Sequence, residues 1–141
     1  MPETTSPPRW TIAAVLLGRL IFAGLFAMAA IFKISDMAGT AGFIAAAGFP
    51  IPLVLAWCAL VLETLLMLAF LTGAFFSEAA LIAAVYVLFL ALAFHGPGRW
   101  QGSQAEFGFF IDHFTFIAGL LFAAVNGPGS TLAWRRGWLG R

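Results

Sequence analysis

The sequence predicts an all-α integral membrane protein, a four-helix bundle with a short additional interfacial helix between spans 1 and 2. Of its 141 residues, 62% are hydrophobic and only 9% are charged, whereas soluble domains carry about 25% charged residues. The mean hydropathy is +1.01. A net charge of +1 without a long basic run provides no surface for nucleic acid. The composition therefore predicts a protein whose main partner is the lipid bilayer.

Apolar stretches long enough to cross a bilayer define a single membrane domain over residues 11–129. The predicted spans are about 11–32, 52–74, 79–94 and 109–125. Residues 1–10 are polar and Pro-rich and predict a disordered N-terminal tail, and residues 130–141 form a C-terminal tail. No small-residue cleavage site follows the first apolar stretch, which therefore predicts a retained helix and not a signal peptide.

Two polar connections lie between the spans. Ser35 or Asp36 can cap a short helix over about Met37 to Ala47, which Gly48 would end. This helix is too short to cross a bilayer, so we expect it to lie in the interface. A glycine-rich polar loop begins at His95 and leads to the fourth span.

The distribution of basic residues predicts the orientation in the membrane. Four spans place both termini on one side. That side carries Arg9, Arg135, Arg136 and Arg141, and the opposite side carries Lys33 and Arg99. Because cytoplasmic loops are enriched in Lys and Arg, we predict that both termini are cytoplasmic.

One carboxylate, Glu63, interrupts the apolar run from Leu53 to Gly73. A charge in the middle of a span costs about 2.5–3.5 kcal/mol and needs a partner, a proton or a wet cavity. Residue counting places Arg19 at about the same depth in the first span. We therefore predict an Arg19–Glu63 ion pair, which either fixes helix register or polarises a bound carbonyl and passes protons.

A second polar group collects at the other ends of the spans. It comprises Lys33, His95, Asp112 and His113, with Arg99 and Glu106 in the adjoining loop. Histidine suits proton exchange near neutral pH, so His95 joins Glu63 and Arg19 as a predicted catalytic residue. Lys33, Asp112 and His113 are predicted to contact a ligand. The alternative is interfacial side chains satisfied by headgroups and water. No tight spacing such as HxxxH supports a metal or haem site, and none is expected.

The aromatic residues and the single cysteine complete the candidates. Phe22, Phe26 and Phe116 can line a slot for a quinone ring, although most of the 16 phenylalanines are expected to pack or to face lipid. Cys58 lies in an apolar run, without a second cysteine for a disulfide or a CxxC redox pair. We interpret it as a small packing residue.

Several short pieces occur together in a characteristic order. They are GRLIFAGLFAMAAIFK with Arg19 and Lys33, AAAGFP, Leu62-Glu63, Phe94-His95, and AGLL followed by GPG. In this order and spacing the chain resembles the DoxX family of small four-helix membrane proteins, over about residues 19–129. The resemblance marks Arg19, Lys33, Glu63 and His95 as candidate functional positions. Where many relatives begin the fourth span with Lys-Asn, this chain has Asp112-His113, which argues against an anion-binding role there.

The resemblance also implies a function. Relatives include the quinone-reducing membrane subunit of thiosulfate oxidoreductase, oxidative-stress membrane complexes and partners in the maturation of periplasmic redox enzymes. It implies a subunit of the bacterial cytoplasmic (inner) membrane that contacts quinone, has no covalently bound cofactor and depends on a cofactor-bearing redox partner protein. In this hypothesis Arg19 or His95 donates a hydrogen bond to a quinone carbonyl, while Glu63 and the histidines exchange protons.

Two other functions agree with the same sequence. The first is a non-catalytic membrane anchor or assembly partner for a redox or stress-response complex, in which the buried charges specify packing only. The second is a small transporter or proton-conducting bundle. Whether the chain is an enzyme, as a quinone-interacting oxidoreductase subunit, stays open at this point. A homodimer and a heteromeric complex are both compatible with its small-residue helix faces.

Overall fold

The fold is all-helical over the residues that the structure, a computed structural model, describes, which are 6–134 and 136–139. Its helices are α1 (Arg9–Ser35), α2 (Met37–Ala46), α3 (Pro52–Thr72), α4 (Phe76–His95) and α5 (Gln104–Asn126), with a 3-10 turn at Pro97–Arg99. Four of them, all except α2, are long and apolar enough to cross a membrane. The predicted fold is confirmed, and the chain is a multi-pass membrane protein.

The four long helices pack chiefly as two antiparallel pairs. α1 lies along α3, and α4 lies along α5. The second pair is close because α4 presents fully buried small residues, Ala80, Ala83 and Ala91. In lipid the hydrophobic effect does not drive helices together, so close packing of their backbones holds such a pair. Rings of Phe22 and Phe116, 5.4 Å apart, join α1 to α5. The closely packed core therefore lies in the half of the bundle near the α3–α4 turn.

The short helix α2 and the start of α5 depend on local caps. The Asp36 side chain accepts a hydrogen bond from the backbone N–H of Gly39 at 2.8 Å, so Asp36 is the cap of α2. The Ser35 hydroxyl donates instead to a carbonyl of α1. Ser103 caps α5 by accepting from the N–H of Glu106. α5 therefore begins five residues before the predicted residue 109, because its polar first turn extends the helix beyond the apolar segment.

The C-terminal segment, residues 127–134 and 136–139, packs against the turn between α3 and α4. The N–H of Trp134 donates to the carbonyl of Thr72 at 2.7 Å, and the N–H of Phe75 donates to the carbonyl of Arg136. Gly73 has φ +79°, and a Cβ there would lie 3.1 Å from Ala133. The turn thus needs glycine both for its backbone conformation and for this close approach.

The predicted tails differ from the structure in extent. Most of the predicted C-terminal tail is packed, with residues 135, 140 and 141 outside those described. At the other terminus α1 begins at Arg9, inside the predicted tail of residues 1–10. Residues 1–5 of that tail lie outside the described part.

Candidate functional site

Glu63 lies at the centre of the site, where three helices meet. Its Oε1 accepts hydrogen bonds from Lys33 Nζ on α1 and from the Tyr86 hydroxyl on α4, each at 2.8 Å. Glu63 is 2% exposed, and the Lys33 side chain is 17% exposed. Two donors, one of them charged, thus offset the cost of burying the carboxylate.

The register between α1 and α3 explains why Lys33, and not Arg19, meets Glu63. The rings of Phe26 and Phe70 stack with centroids 5.7 Å apart. Lys33 is seven residues after Phe26, and Glu63 is seven residues before Phe70, as antiparallel helices require. Arg19 is fourteen residues before Lys33, or about 21 Å away along α1. The predicted Arg19–Glu63 ion pair is therefore wrong. The prediction counted the depth of each residue from the approximate end of its span, and this count does not give the register between the two helices.

Arg19 binds backbone carbonyls at the opposite end of the bundle through its two Nη atoms, while its Nε is buried without a hydrogen-bond partner among the described residues. Its Nη1 donates to the carbonyl of Pro128 at 3.1 Å, and its Nη2 donates to the carbonyl of Leu132 at 2.8 Å. The residue is 2% exposed. The planar fork of the guanidinium suits two carbonyls that converge from one loop. Arg19 therefore holds the C-terminal segment in place.

A cavity of about 410 Å³ lies beside Glu63, within the size range of small-molecule sites. Lys33, Glu63 and Tyr86 form its polar inner part. Phe49, which follows α2, covers the cavity, and its ring packs against those of Phe89 and Phe94 on α4 at 5.8 and 5.9 Å. The cavity is thus apolar over most of its wall, with a few polar groups in fixed positions.

His95 and His113 provide the other polar part of the cavity wall. Their rings lie 5.2 Å apart. His95 Nδ1 lies 2.8 Å from Glu106 Oε2, and His113 Nδ1 lies 2.6 Å from the carbonyl of Phe109. Among the described residues no group of three or more His, Cys, Asp or Glu could hold a metal ion. The arrangement fixes the orientation of two imidazole rings at the cavity wall.

Exposed residues of the cavity wall lie on three helices. Phe43 on α2 is 55% exposed, Phe89 on α4 is 47% exposed, and Cys58 on α3 is exposed too. Cys58 and Phe89 each lie six residues from the helix end on the cavity side, about 9 Å into the apolar span. These two wall residues are on the side of the bundle, where lipid would be. The interpretation of Cys58 as a small packing residue is wrong, because Cys58 is exposed and lines the cavity.

The remaining predicted site residues lie elsewhere. Phe22, Phe26 and Phe116 pack on one another, with Phe26 and Phe116 5.9 Å apart, and they do not line the cavity beside Glu63. Asp112 is exposed on α5 and outside the cavity wall. The structure therefore brings together Lys33, Glu63, His95 and His113 and leaves Arg19, Asp112 and the three phenylalanines apart.

Tyr86 is the site residue that the sequence analysis missed. It is the chain's single tyrosine, and it lies in an otherwise apolar helix. A buried tyrosine hydroxyl ordinarily needs a hydrogen-bond partner, so one phenol in an apolar span indicates a polar group on a neighbouring helix. Glu63 was the available acceptor, and this argument would have connected the two.

Comparisons with curated proteins and with solved structures found no significant match. The family model of DoxX matches residues 14–96. The matched region takes in most of α1 and all of α2, α3 and α4, and with them Lys33, Glu63, Tyr86 and His95. α5, which supplies His113, lies beyond it. Since the match covers more than half of the chain, the protein belongs to the DoxX family.

Proposed function

We propose that the protein is a redox-associated membrane subunit that binds quinone in the cavity beside Glu63 and works with a cofactor-bearing partner protein. The observation that carries the proposal is the position of the cavity. It combines apolar aromatic walls with fixed polar groups, and two of its wall residues, Cys58 and Phe89, are exposed inside the apolar span. A ligand that enters past these residues comes from the bilayer, and quinones are membrane-soluble rings with polar oxygens and an apolar tail.

In this proposal the residues that line the cavity have separate roles. Phe89 and Phe94 hold the ring of the headgroup, and the tail leaves the cavity past Cys58. His95 hydrogen-bonds one headgroup oxygen, and the linked groups Glu63 and Tyr86 lie near the other. Arg19 has no part in this mechanism, because its guanidinium is bound at the opposite end of the bundle. Quinone chemistry needs an electron donor, which the proposed partner supplies.

The quinone content of protein purified gently from its native membrane tests the proposal. Total quinone, fully oxidised after extraction and normalised to carried-over phospholipid, is compared between the wild type, Glu63→Gln and Arg19→Gln. These variants each neutralise one buried charge, but only Glu63 lines the cavity. We expect near-stoichiometric quinone in the wild type and Arg19→Gln and a fall to the bulk lipid ratio in Glu63→Gln. Wild-type protein at the bulk lipid ratio would contradict a specific site.

A non-catalytic anchor or assembly partner is the second candidate, and α5 favours it. Leu120 is the single buried residue of this helix, so most of its surface is available to lipid or to a partner helix. An anchor should recruit its partner and support full turnover when Glu63 is replaced by Gln. A quinone subunit should keep the partner and lose turnover. Co-purification and quinone-reductase activity of the same complex separate these outcomes.

We also propose that the protein lies in the bacterial cytoplasmic membrane with both termini in the cytoplasm. Arg9 at the start of α1 and Arg136 after α5 are at one end of the bundle, whereas Lys33 at the other end is paired with Glu63. This pairing strengthens the charge asymmetry on which the positive-inside rule depends. Labelling of single cysteines placed at residues 6 and 101 with an impermeant maleimide in intact cells tests it. Labelling at residue 101 alone is expected, and labelling at residue 6 alone would reverse the orientation.

A further inference from the structure

The carboxylate of Glu63 has one oxygen that the protein leaves unsatisfied. Lys33 and Tyr86 both donate to Oε1. Oε2 is buried and has no hydrogen-bond partner among the described residues. A buried acceptor without a partner is costly, most of all when it carries charge. The torsion that turns a Glu carboxylate is soft, so a small rotation is enough for a donor in the neighbouring cavity to meet an oxygen of Glu63.

The two histidines of the cavity are also positioned to accept hydrogen bonds from a ligand. His95 Nδ1 faces the carboxylate of Glu106, and His113 Nδ1 faces the carbonyl of Phe109. Both of these partners can only accept, so each Nδ1 carries the proton of its ring. A neutral imidazole that donates from Nδ1 offers a lone pair at Nε2. Both polar parts of the cavity therefore present an acceptor to a ligand, and Lys33 keeps two N–H donors beside Glu63.

We infer that the form of the ligand held in this cavity is a hydroquinone, an aromatic headgroup that presents two hydroxyl donors. The inference rests on the proposed function and adds to it which redox form the site recognises. One hydroxyl donates to Glu63, and the opposite hydroxyl donates to the Nε2 of His95. A quinone offers two carbonyl oxygens, which only accept. It would place acceptor against acceptor at His95 and leave Oε2 of Glu63 without a donor. Tyr86 gives its single hydroxyl hydrogen to Glu63, and Lys33 has one of its three N–H groups on Glu63, so a quinone could bind at this end only through the remaining N–H groups of Lys33.

The single cysteine of the chain makes this preference measurable. Cys58 is exposed and lines the cavity, so a bound ligand should slow its alkylation by N-ethylmaleimide. The protein is placed in phosphatidylcholine nanodiscs at pH 8 without oxygen, with decylubiquinone or decylubiquinol as the probe. The fully substituted ring of both probes leaves no position for the thiol to add. We expect decylubiquinol to protect Cys58 at about tenfold lower concentration, the effect of one well-placed hydrogen bond to a charged group.

A matched control separates binding from general effects in the bilayer. Val61 lies three residues along α3, is 57% exposed and is outside the cavity wall. In the double variant Cys58→Ser, Val61→Cys, neither probe should change the rate of alkylation. Equal protection of both cysteines by decylubiquinol would overturn the inference, because the effect would then arise in the lipid.

The outcomes distinguish the inference from the proposed function. Protection of Cys58 by decylubiquinone at equal or lower concentration than decylubiquinol overturns the inference and leaves quinone binding intact. Protection by neither probe overturns both. In Glu63→Gln the amide can donate as well as accept, so we expect the preference for decylubiquinol to fall to about threefold or less. An unchanged tenfold preference in that variant would overturn the role of Glu63.

Discussion

Each end of the bundle contains a buried charged residue, and the two residues have hydrogen-bond partners of different kinds. Glu63, at the cavity end, binds the side chains of Lys33 and Tyr86 from neighbouring helices. Arg19, at the opposite end, binds two main-chain carbonyls of the C-terminal segment. Side-chain partners can exchange with a ligand, whereas backbone partners are fixed by the path of the chain. In this bundle one buried charge, Glu63, lines a cavity, whereas the other, Arg19, holds the C-terminal segment in place.

The largest expected effect is the loss of Glu63. Glu63→Leu leaves the Lys33 ammonium and the Tyr86 hydroxyl without their acceptor, and breaking a buried pair on one side costs about 3 kcal/mol. Reversible unfolding in mixed detergent micelles measures the free energy of unfolding. The double variant Lys33→Met, Glu63→Leu should recover most of this loss, because apolar replacement of both partners is often neutral. If the double variant is no more stable than the single one, the pair does not account for the stability of the cavity end.

Arg19→Leu should have a smaller effect on stability and a different consequence. The carbonyls of Pro128 and Leu132 lose their donors, and hydrogen bonds to a charged group contribute about 2 kcal/mol. We expect residues 127–139 to be cleaved faster by protease in nanodiscs, while the quinone content stays at the wild-type level. Arg19→Lys is the matched control, since it keeps the charge and loses the two-pronged geometry. Reduced quinone content in Arg19→Leu would show that the two ends are not independent.

Glu78→Gln is expected to have the smallest effect. The Glu78 carboxylate accepts hydrogen bonds from the N–H groups of Trp138 and Leu139. Glutamine keeps an acceptor but loses the charge, which roughly halves the strength of such bonds. Protease cleavage within residues 127–139 should be about threefold faster. Glu106→Gln is the control, because Glu106 is also in the first turn of a helix but lies at the cavity end; cleavage accelerated equally in both variants would refute a local effect.

The architecture was predictable because it depends on length and hydropathy. Four apolar runs determine four helices, and the positions of Asp36 and Gly48 determine the short helix between the first two. The C-terminal segment was not predictable. Besides the side chains of Arg19 and Glu78, its contacts use backbone groups, and backbone groups cannot be recognised from the pattern of side chains. The sequence therefore predicts the helices better than the loop that closes one end.

Individual candidate residues were predictable, but their pairing was not. Glu63, Lys33, His95 and His113 could be selected because polar side chains in apolar spans are costly. Which of them meet depends on helix register, because Arg19 and Lys33 are fourteen residues apart, about 21 Å along α1. The choice between Arg19 and Lys33 required that register. Phe22, Phe26 and Phe116 had the composition of a ligand slot, but their own rings fill that space.

The contacts of Arg19 have a consequence for biosynthesis. Its carbonyl partners follow 109 and 113 residues later in the chain. At about 5–20 residues per second, a ribosome needs roughly 5–20 s to make the intervening segment. During this interval the first helix holds a charged residue whose final partners do not yet exist, at a cost of about 2.5–3.5 kcal/mol within a bilayer. Insertion and closure of the bundle are therefore separate events, and closure comes last.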